Sequence, residues 1–269
     1  MKLREYTFND ESPAQLNVLK ELETHQTDVV ILRNFLKEHE IHQLLSIYKP
    51  IEKWYEVYDG YNAFPRPFDH IPRHPQIEYE TECTNYVSAI NTNNIGSEFQ
   101  RKLQSISADY ALVFNGHKQE INDSQTWSSL RRLALGKGYF EIHCGRLFQD
   151  WNKNYFERFS KKADIDTQYA FLIVLQRPET DCDIVIFDLT WDEASIKIDS
   201  DYLQRKNGEK VHINHIRSEK IKLFEGDVLI FDEGNYWHLV PPFKGEKERI
   251  SFGGFMTKLL DNQHFLVWS

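Results

Sequence analysis

From Trp127 to Trp268 the chain passes through short β-like runs separated by turn residues, at 127–135, 139–147, 170–176, 184–189, 227–231, 236–240, 250–256 and 264–268. The first part reads differently. Ser12 followed by Pro13 suits the N-cap and first turn of a helix to about Glu23, and 28–32 reads as a short strand. Residues 35–48 space Ile41, Leu44, Leu45 and Tyr48 on one helical face, and 98–112 is helical by pattern. Helices first and then a long series of strands, with helical insertions near 152–161 and 191–195, predict a mainly β fold with flanking helices. The expected core is a double-stranded β-helix, a cupin-like jelly roll over about 125–269, buttressed by a helical region over about 1–120. One domain is expected over 1–269, because candidate site residues sit both in the middle and near the end of the chain.

With 41% hydrophobic residues in 269, the chain can bury a full core. A net charge of -9 and the lack of a dense Lys/Arg run argue against a nucleic acid polymer or an anionic membrane as partner, which leaves a small molecule. Cys83, Cys144 and Cys182 are widely spaced and odd in number, so neither a disulfide framework nor a thiolate zinc site is expected. No apolar signal core opens the sequence and no apolar run approaches about 18 residues, so a cytoplasmic location is expected.

The segment YFEIHCGRLF, read as a strand, sets Tyr139, Glu141, His143 and Gly145 on one face. Oxygen-activating non-heme iron commonly sits on two histidines and one carboxylate with open positions for co-substrate and dioxygen. In jelly-roll versions the first histidine and the carboxylate form a His-x-Asp pair, and here that pair reads His143-Cys144-Gly145. Gly226-Asp227 opens a later strand, a turn follows, and Trp237-His238-Leu239-Val240 starts the next. Arg249 lies eleven residues beyond His238, where an antiparallel register would set its guanidinium on the same inner face. Arginine forms paired charge-assisted bonds with a carboxylate, which suits the distal end of 2-oxoglutarate, and Ser251 adds a hydroxyl nearby. Any one of eleven histidines is a weak signal, but the combination with Arg249 is not.

At these residues the sequence resembles the Fe(II)/2-oxoglutarate oxygenase superfamily, and more closely its freestanding halogenases of the welwitindolinone and ambiguine alkaloid type. The resemblance runs from about Arg131 to Ser269, through the LxxGxxxxxxHxG segment from Leu133 to Gly145, Pro178, Asp183, Trp191, and the GDxxxF, YxH and GGF blocks. It implies that His143 and His238 carry Fe(II), that Gly145 opens a site for chloride or bromide, and that Arg249 anchors 2-oxoglutarate. The implied reaction uses O2 to replace an unactivated C–H hydrogen of a freestanding small molecule by halogen, through hydrogen abstraction and halogen rebound, releasing succinate and CO2. No signature for docking a carrier protein is visible.

Two other readings remain open. Glu141 is either a partner of a liganding imidazole or of Arg131 or Arg132, or itself a carboxylate ligand that restores hydroxylation with a nonstandard ligand set. A noncatalytic small-molecule binder on the same jelly roll is the third. The aromatic, proline-rich stretch over 58–75 reads as an ordered loop, either a stiff surface connection or a lid over the site. The expected substrate pocket takes Phe64, Arg66 and Phe68 from that stretch, with Glu141 and Phe148 beside the iron strand.

Overall fold

Alternate residues of the central strands enter two different cores, and that division builds the molecule. The computed structural model describes all residues except 11–15, 52–53, 67–75, 93, 115–125, 138 and 181. In chain order the first part contains β1 (Leu3–Thr7), α1 (Val18–Glu23), β2 (Val29–Arg33), α2 (Glu38–Tyr48), β3 (Tyr55–Tyr58) and β4 (Tyr61–Phe64). There follow α3 (Gln76–Thr92), α4 (Ile95–Ser105), β5 (Ala111–Phe114), β6 (Ser129–Leu133) and β7 (Phe140–His143). Next are α5 (Gly145–Trp151), α6 (Lys153–Phe159), β8 (Tyr169–Gln176), β9 (Ile184–Thr190), β10 (Ala194–Lys197), β11 (Tyr202–Arg205) and β12 (Lys210–His212). The last are β13 (Ser218–Ile221), β14 (Val228–Asp232), β15 (Tyr236–Val240), β16 (Arg249–Lys258) and β17 (His264–Trp268).

The large sheet runs β1-β2-β14-β8-β16-β6-β4-β3, with β17 attached to β16 and β5 to β17. The smaller sheet that faces it runs β13-β9-β15-β7, and β10-β11-β12 forms a separate ribbon. Val30, Leu32, Phe171, Ile173, Val228 and Ile230 point outward from the large sheet into a core shared with α1, α2 and α4. Their neighbours Val29, Ile31, Ala170, Leu229 and Phe231 point inward, against Ile184, Ile186 and Tyr236 of the small sheet. The period-2 pleat makes this split possible, and the runs are apolar throughout because both faces are covered. The result is a mainly β jelly roll with helices along one face, as the sequence implies.

The helices cover the sheet through Val18, Leu19 and Leu22, through Ile41, Leu44 and Ile47, and through Ile95, Phe99 and Leu103. Lys102 is buried among them, and its ammonium donates to Glu40 at 2.7 Å, so the charge is paired where water cannot reach it.

Several expectations shift. The 98–112 helix stops at Ser105, and Ala111–Phe114 instead pairs in parallel with β17. The strand expected over 139–147 ends at His143, and Gly145 opens α5. The helical insertion at 191–195 is a turn leading into β10, whereas that near 152–161 is present as α6. The helix start expected at Ser12-Pro13 lies outside the described residues, as does the 67–75 half of the aromatic, proline-rich stretch, while Tyr61–Phe64 in its first half forms β4 and pairs with β6 rather than forming a loop. No described helix is long and apolar enough to cross a membrane.

Candidate metal and co-substrate site

His143 ends β7 and His238 sits in β15, and the antiparallel register places them directly opposite each other. Their rings stand 4.0 Å apart between centroids. Each ring turns Nδ1 toward the carbonyl oxygen two residues earlier, at 2.7 Å for His143 to Glu141 and 3.0 Å for His238 to Tyr236. A carbonyl only accepts, so Nδ1 carries the proton and Nε2 keeps its lone pair, the form a metal needs. Burial lowers the pKa of His238 to about 4. Burial and the adjacent His238 hold His143 well below the ordinary imidazole value. Both rings are therefore neutral at neutral pH, and edge packing by Phe231 on His238 and tilted packing by Phe140 on His143 fix their planes.

A third donor arrives from an unexpected place. Glu233, in the turn between β14 and β15, is buried, and its Oε1 lies 3.7 Å from His238 Nε2. His143, Glu233 and His238 each offer one ligand atom, all within 4.8 Å of one another, which makes them the one such His/Cys/Asp/Glu group among the described residues. Two imidazoles and one carboxylate match the donor chemistry of non-heme Fe(II), so the residues present fit the metal.

The backbone locks this turn to the residues after His143. Gly145 N–H donates to the Glu233 carbonyl at 2.9 Å, and Cys144 Sγ–H donates to the Gly234 carbonyl at 3.0 Å. Gly234 N–H donates to the Gln168 carbonyl at 2.9 Å, while Gln168 Nε2 donates to Glu233 Oε2 at 2.7 Å. A Cβ on Gly145 would lie 2.2 Å from Glu233 Oε2 and 2.8 Å from Gln168 Nε2, so the room that glycine leaves is taken by the carboxylate. Sequence reasoning passed over Glu233. Its signal was an acidic residue in a turn between two apolar strands, five positions before His238.

The opposite wall belongs to the large sheet. Arg249 pairs across β16 and β6 with Leu133, and Ser251 with Arg131, so all four side chains share the inner face. Arg249 is buried, and its Nε has no acceptor among the described residues. Burial presses its pKa below the usual arginine value, which marks a cation short of counter-charge. A bound carboxylate would supply that charge, and the Ser251 hydroxyl stands on the same strand two residues on. Arg131 also lines the cavity, with its guanidinium over the Phe255 ring.

Of the expected pocket residues, Phe148 lines the cavity from α5, with its ring 5.9 Å from that of His143. Glu141 does not reach it: its carboxylate is 2.8 Å from Lys197 Nζ, about half-exposed, and only its carbonyl serves the site. The register between β7 and β15 slips by one residue between His143 and Phe140, so alternation is broken and Phe140 rather than Glu141 turns inward beside His143. Phe64 packs on the helical side against Trp54 and Tyr86. Arg66 is buried against Glu82 at 2.6 Å and lies over Tyr55, away from the cavity. Phe68 lies outside the described residues.

A jelly roll that holds two facing histidines on its small sheet and a buried arginine on its large sheet defines an Fe(II)/2-oxoglutarate oxygenase-type enzyme. Within that class the chain belongs to the family described as "Carrier-protein-independent halogenase WelO5", which matches residues 78–269. No curated protein matches the sequence. In fold the chain is similar to an N-substituted L-amino acid dioxygenase from Burkholderia ambifaria AMMD, at TM-score 0.51 and 12% identity over 92% of this chain and 89% of that one. It is also similar to a 2OG-Fe(II) oxygenase family oxidoreductase from Burkholderia pseudomallei (TM-score 0.48, 11% identity, 95% of each chain). HygX from Streptomyces hygroscopicus, with nickel, 2-oxoglutarate and hygromycin B bound, aligns at TM-score 0.49 and 11% identity over 88% of this chain and 85% of that one.

Proposed function

We propose that the chain is an Fe(II)- and 2-oxoglutarate-dependent halogenase that exchanges an unactivated C–H hydrogen of a freestanding small molecule for chlorine or bromine. The observation that carries this reading is glycine at 145, two residues after a liganding histidine, in a chain of this family. When bound, the metal with O2 and 2-oxoglutarate supplies the oxidising power for hydrogen-atom removal, and succinate and CO2 leave.

The chain's own residues then have defined work. His143 and His238 present Nε2 lone pairs, and the carbonyls of Glu141 and Tyr236 hold the rings in that tautomer. Arg249 and Ser251 bind the distal carboxylate of 2-oxoglutarate and so fix its other end toward the histidines. Phe148, Phe255 and Trp268 give the cavity apolar walls that keep bulk water from the reacting carbon and favour a substrate with an apolar face.

One observation favours a second reading. The Glu233 carboxylate beside both histidines completes a two-histidine, one-carboxylate set, which is the arrangement of hydroxylation. Mass spectrometry of aerobic reactions with a metabolite library, chloride or bromide, Fe(II) and 2-oxoglutarate tests the proposal. Halogen isotope patterns in a product are expected. A product that gains only oxygen at saturating halide sinks it.

A further inference from the structure

The vacancy that glycine leaves at 145 is not empty space. Glu233 Oε2 stands 2.2 Å from the position of a Cβ on Gly145, and its partner oxygen faces His238 Nε2 at 3.7 Å. Contacts hold the carboxylate on this side: Glu233 is buried, Gln168 Nε2 donates to it at 2.7 Å, and the Gly145 N–H and Cys144 thiol pin the backbone around it. A halide entering beside Gly145 would therefore meet a second negative charge in van der Waals contact, inside a pocket where water screens little. Two anions do not share one such position without a strong penalty.

We propose that the Glu233 carboxylate and the halide compete for a single position beside His143 and His238, so that Glu233 sets how much halide the enzyme needs. This rests on the halogenase reading for its halide, but the competition is a property of the site and can be read without turnover. Gln168 is then a positioning residue, because its amide holds the carboxylate on the Gly145 side. Glycine at 145 has a double use: it leaves room for the anion that binds, and it leaves room for the carboxylate that excludes it.

The test uses the full chain loaded anaerobically with Co(II) and 2-oxoglutarate and titrated with sodium chloride or sodium bromide at constant ionic strength, following the visible Co(II) absorption. Wild type, Glu233→Gln and Glu233→Ala are compared. Removal of the charge is expected to lower the halide midpoint by about tenfold or more in both variants. Because glutamine keeps the volume and alanine does not, a shared shift reports lost charge rather than repacking. Co(II) affinity without halide is expected to weaken in both variants and to recover as halide is added. Midpoints equal in all three proteins, or higher in the variants, overturn the competition and leave halogenation standing. A response confined to the variants upholds the competition and defeats halogenation by the native chain. Absence of any halide response in all three proteins overturns the competition.

Discussion

If Glu233 fills the space beside Gly145, then adding a single methyl group at 145 should be costly only while Glu233 is there. In Gly145→Ala the new carbon starts 2.2 Å from Glu233 Oε2, 2.9 Å from its Cδ and 2.8 Å from Gln168 Nε2. Contact distance for such pairs is about 3.5 Å, so the carboxylate must retreat by about 1 Å. Overpacking of this kind costs about 1–3 kcal/mol. The retreat also breaks the Gln168 bond to a charged acceptor, worth about 1.5–3 kcal/mol. Two terms reduce the sum. The strained atom ends a flexible side chain that has rotamers to use, and alanine is up to about 1 kcal/mol better than glycine in a helix, although Gly145 is only the first residue of α5. The net expectation is about 2 kcal/mol of destabilisation in metal-free protein.

The same substitution in a Glu233→Ala background loses both Glu233 contacts and keeps the Gln168 Nε2 contact, made by the end of a side chain that no longer has Glu233 to hold, so its cost should fall to about zero, giving a coupling of about 2 kcal/mol between the two positions. Urea unfolding of the four EDTA-treated proteins measures the cycle, with near-UV circular dichroism as the probe. Costs that add across the two positions, with Gly145→Ala equally destabilising in both backgrounds, would falsify the claim that the glycine exists to accommodate the carboxylate.

Two further outcomes follow from the electrostatics. In metal-free protein His238 is held at about 4 against an ordinary 6.5, so between these values the unfolded chain takes up a proton that the folded chain refuses. Its contribution is intact above pH 6.5 and lost as pH falls through about 4, a difference of about 3 kcal/mol. Buried Asp232, pushed up to about 7, has the opposite slope over the same window, so the signal to measure is wild type minus His238→Gln. A flat difference between pH 7 and 4 contradicts the burial argument. In Arg249→Gln the 2-oxoglutarate complex should lose about 2–5 kcal/mol, read as a rise in Kd from the anaerobic Fe(II) charge-transfer band. The metal-free variant should be as stable as wild type or more so, because a buried guanidinium whose Nε has no described acceptor is removed. Unchanged co-substrate affinity would reject the assignment.

How much of this was visible beforehand depends on the range of each interaction. The strands were legible because apolar runs such as 236–240 and 264–268 are bounded by turn residues and buried on both faces, so local pattern and tertiary environment agree. The meeting of His143, His238 and Arg249 at one cavity was legible because strand spacing and register fix where they point. Gly145 was half legible. Its identity was plain, but the chain leaves the strand at His143, so the pleat does not extend to Gly145, and the slip in register between β7 and β15 breaks the alternation that would have set Glu141 beside His143. The 98–112 helix failed for a related reason: Ala111–Phe114 is drawn out of the helical pattern by pairing with β17, some 150 residues later in sequence.

Glu233 was illegible for a stronger reason, and this changes what glycine at 145 can be taken to mean. A carboxylate delivered from position 145 and one delivered from position 233 end in the same few ångströms of space, but only the first leaves a local sequence signature. The pairing of the 144–145 backbone with the Glu233–Gly234 turn, 89 residues away in sequence by the Cys144 contact, brings the second into place. A glycine two residues after a liganding histidine therefore records only that no carboxylate comes from that residue. If Glu233 and halide compete for one position, the room left for halide is set across the fold, by what the turn before the second histidine holds and by the Gln168 bond that keeps that carboxylate in place.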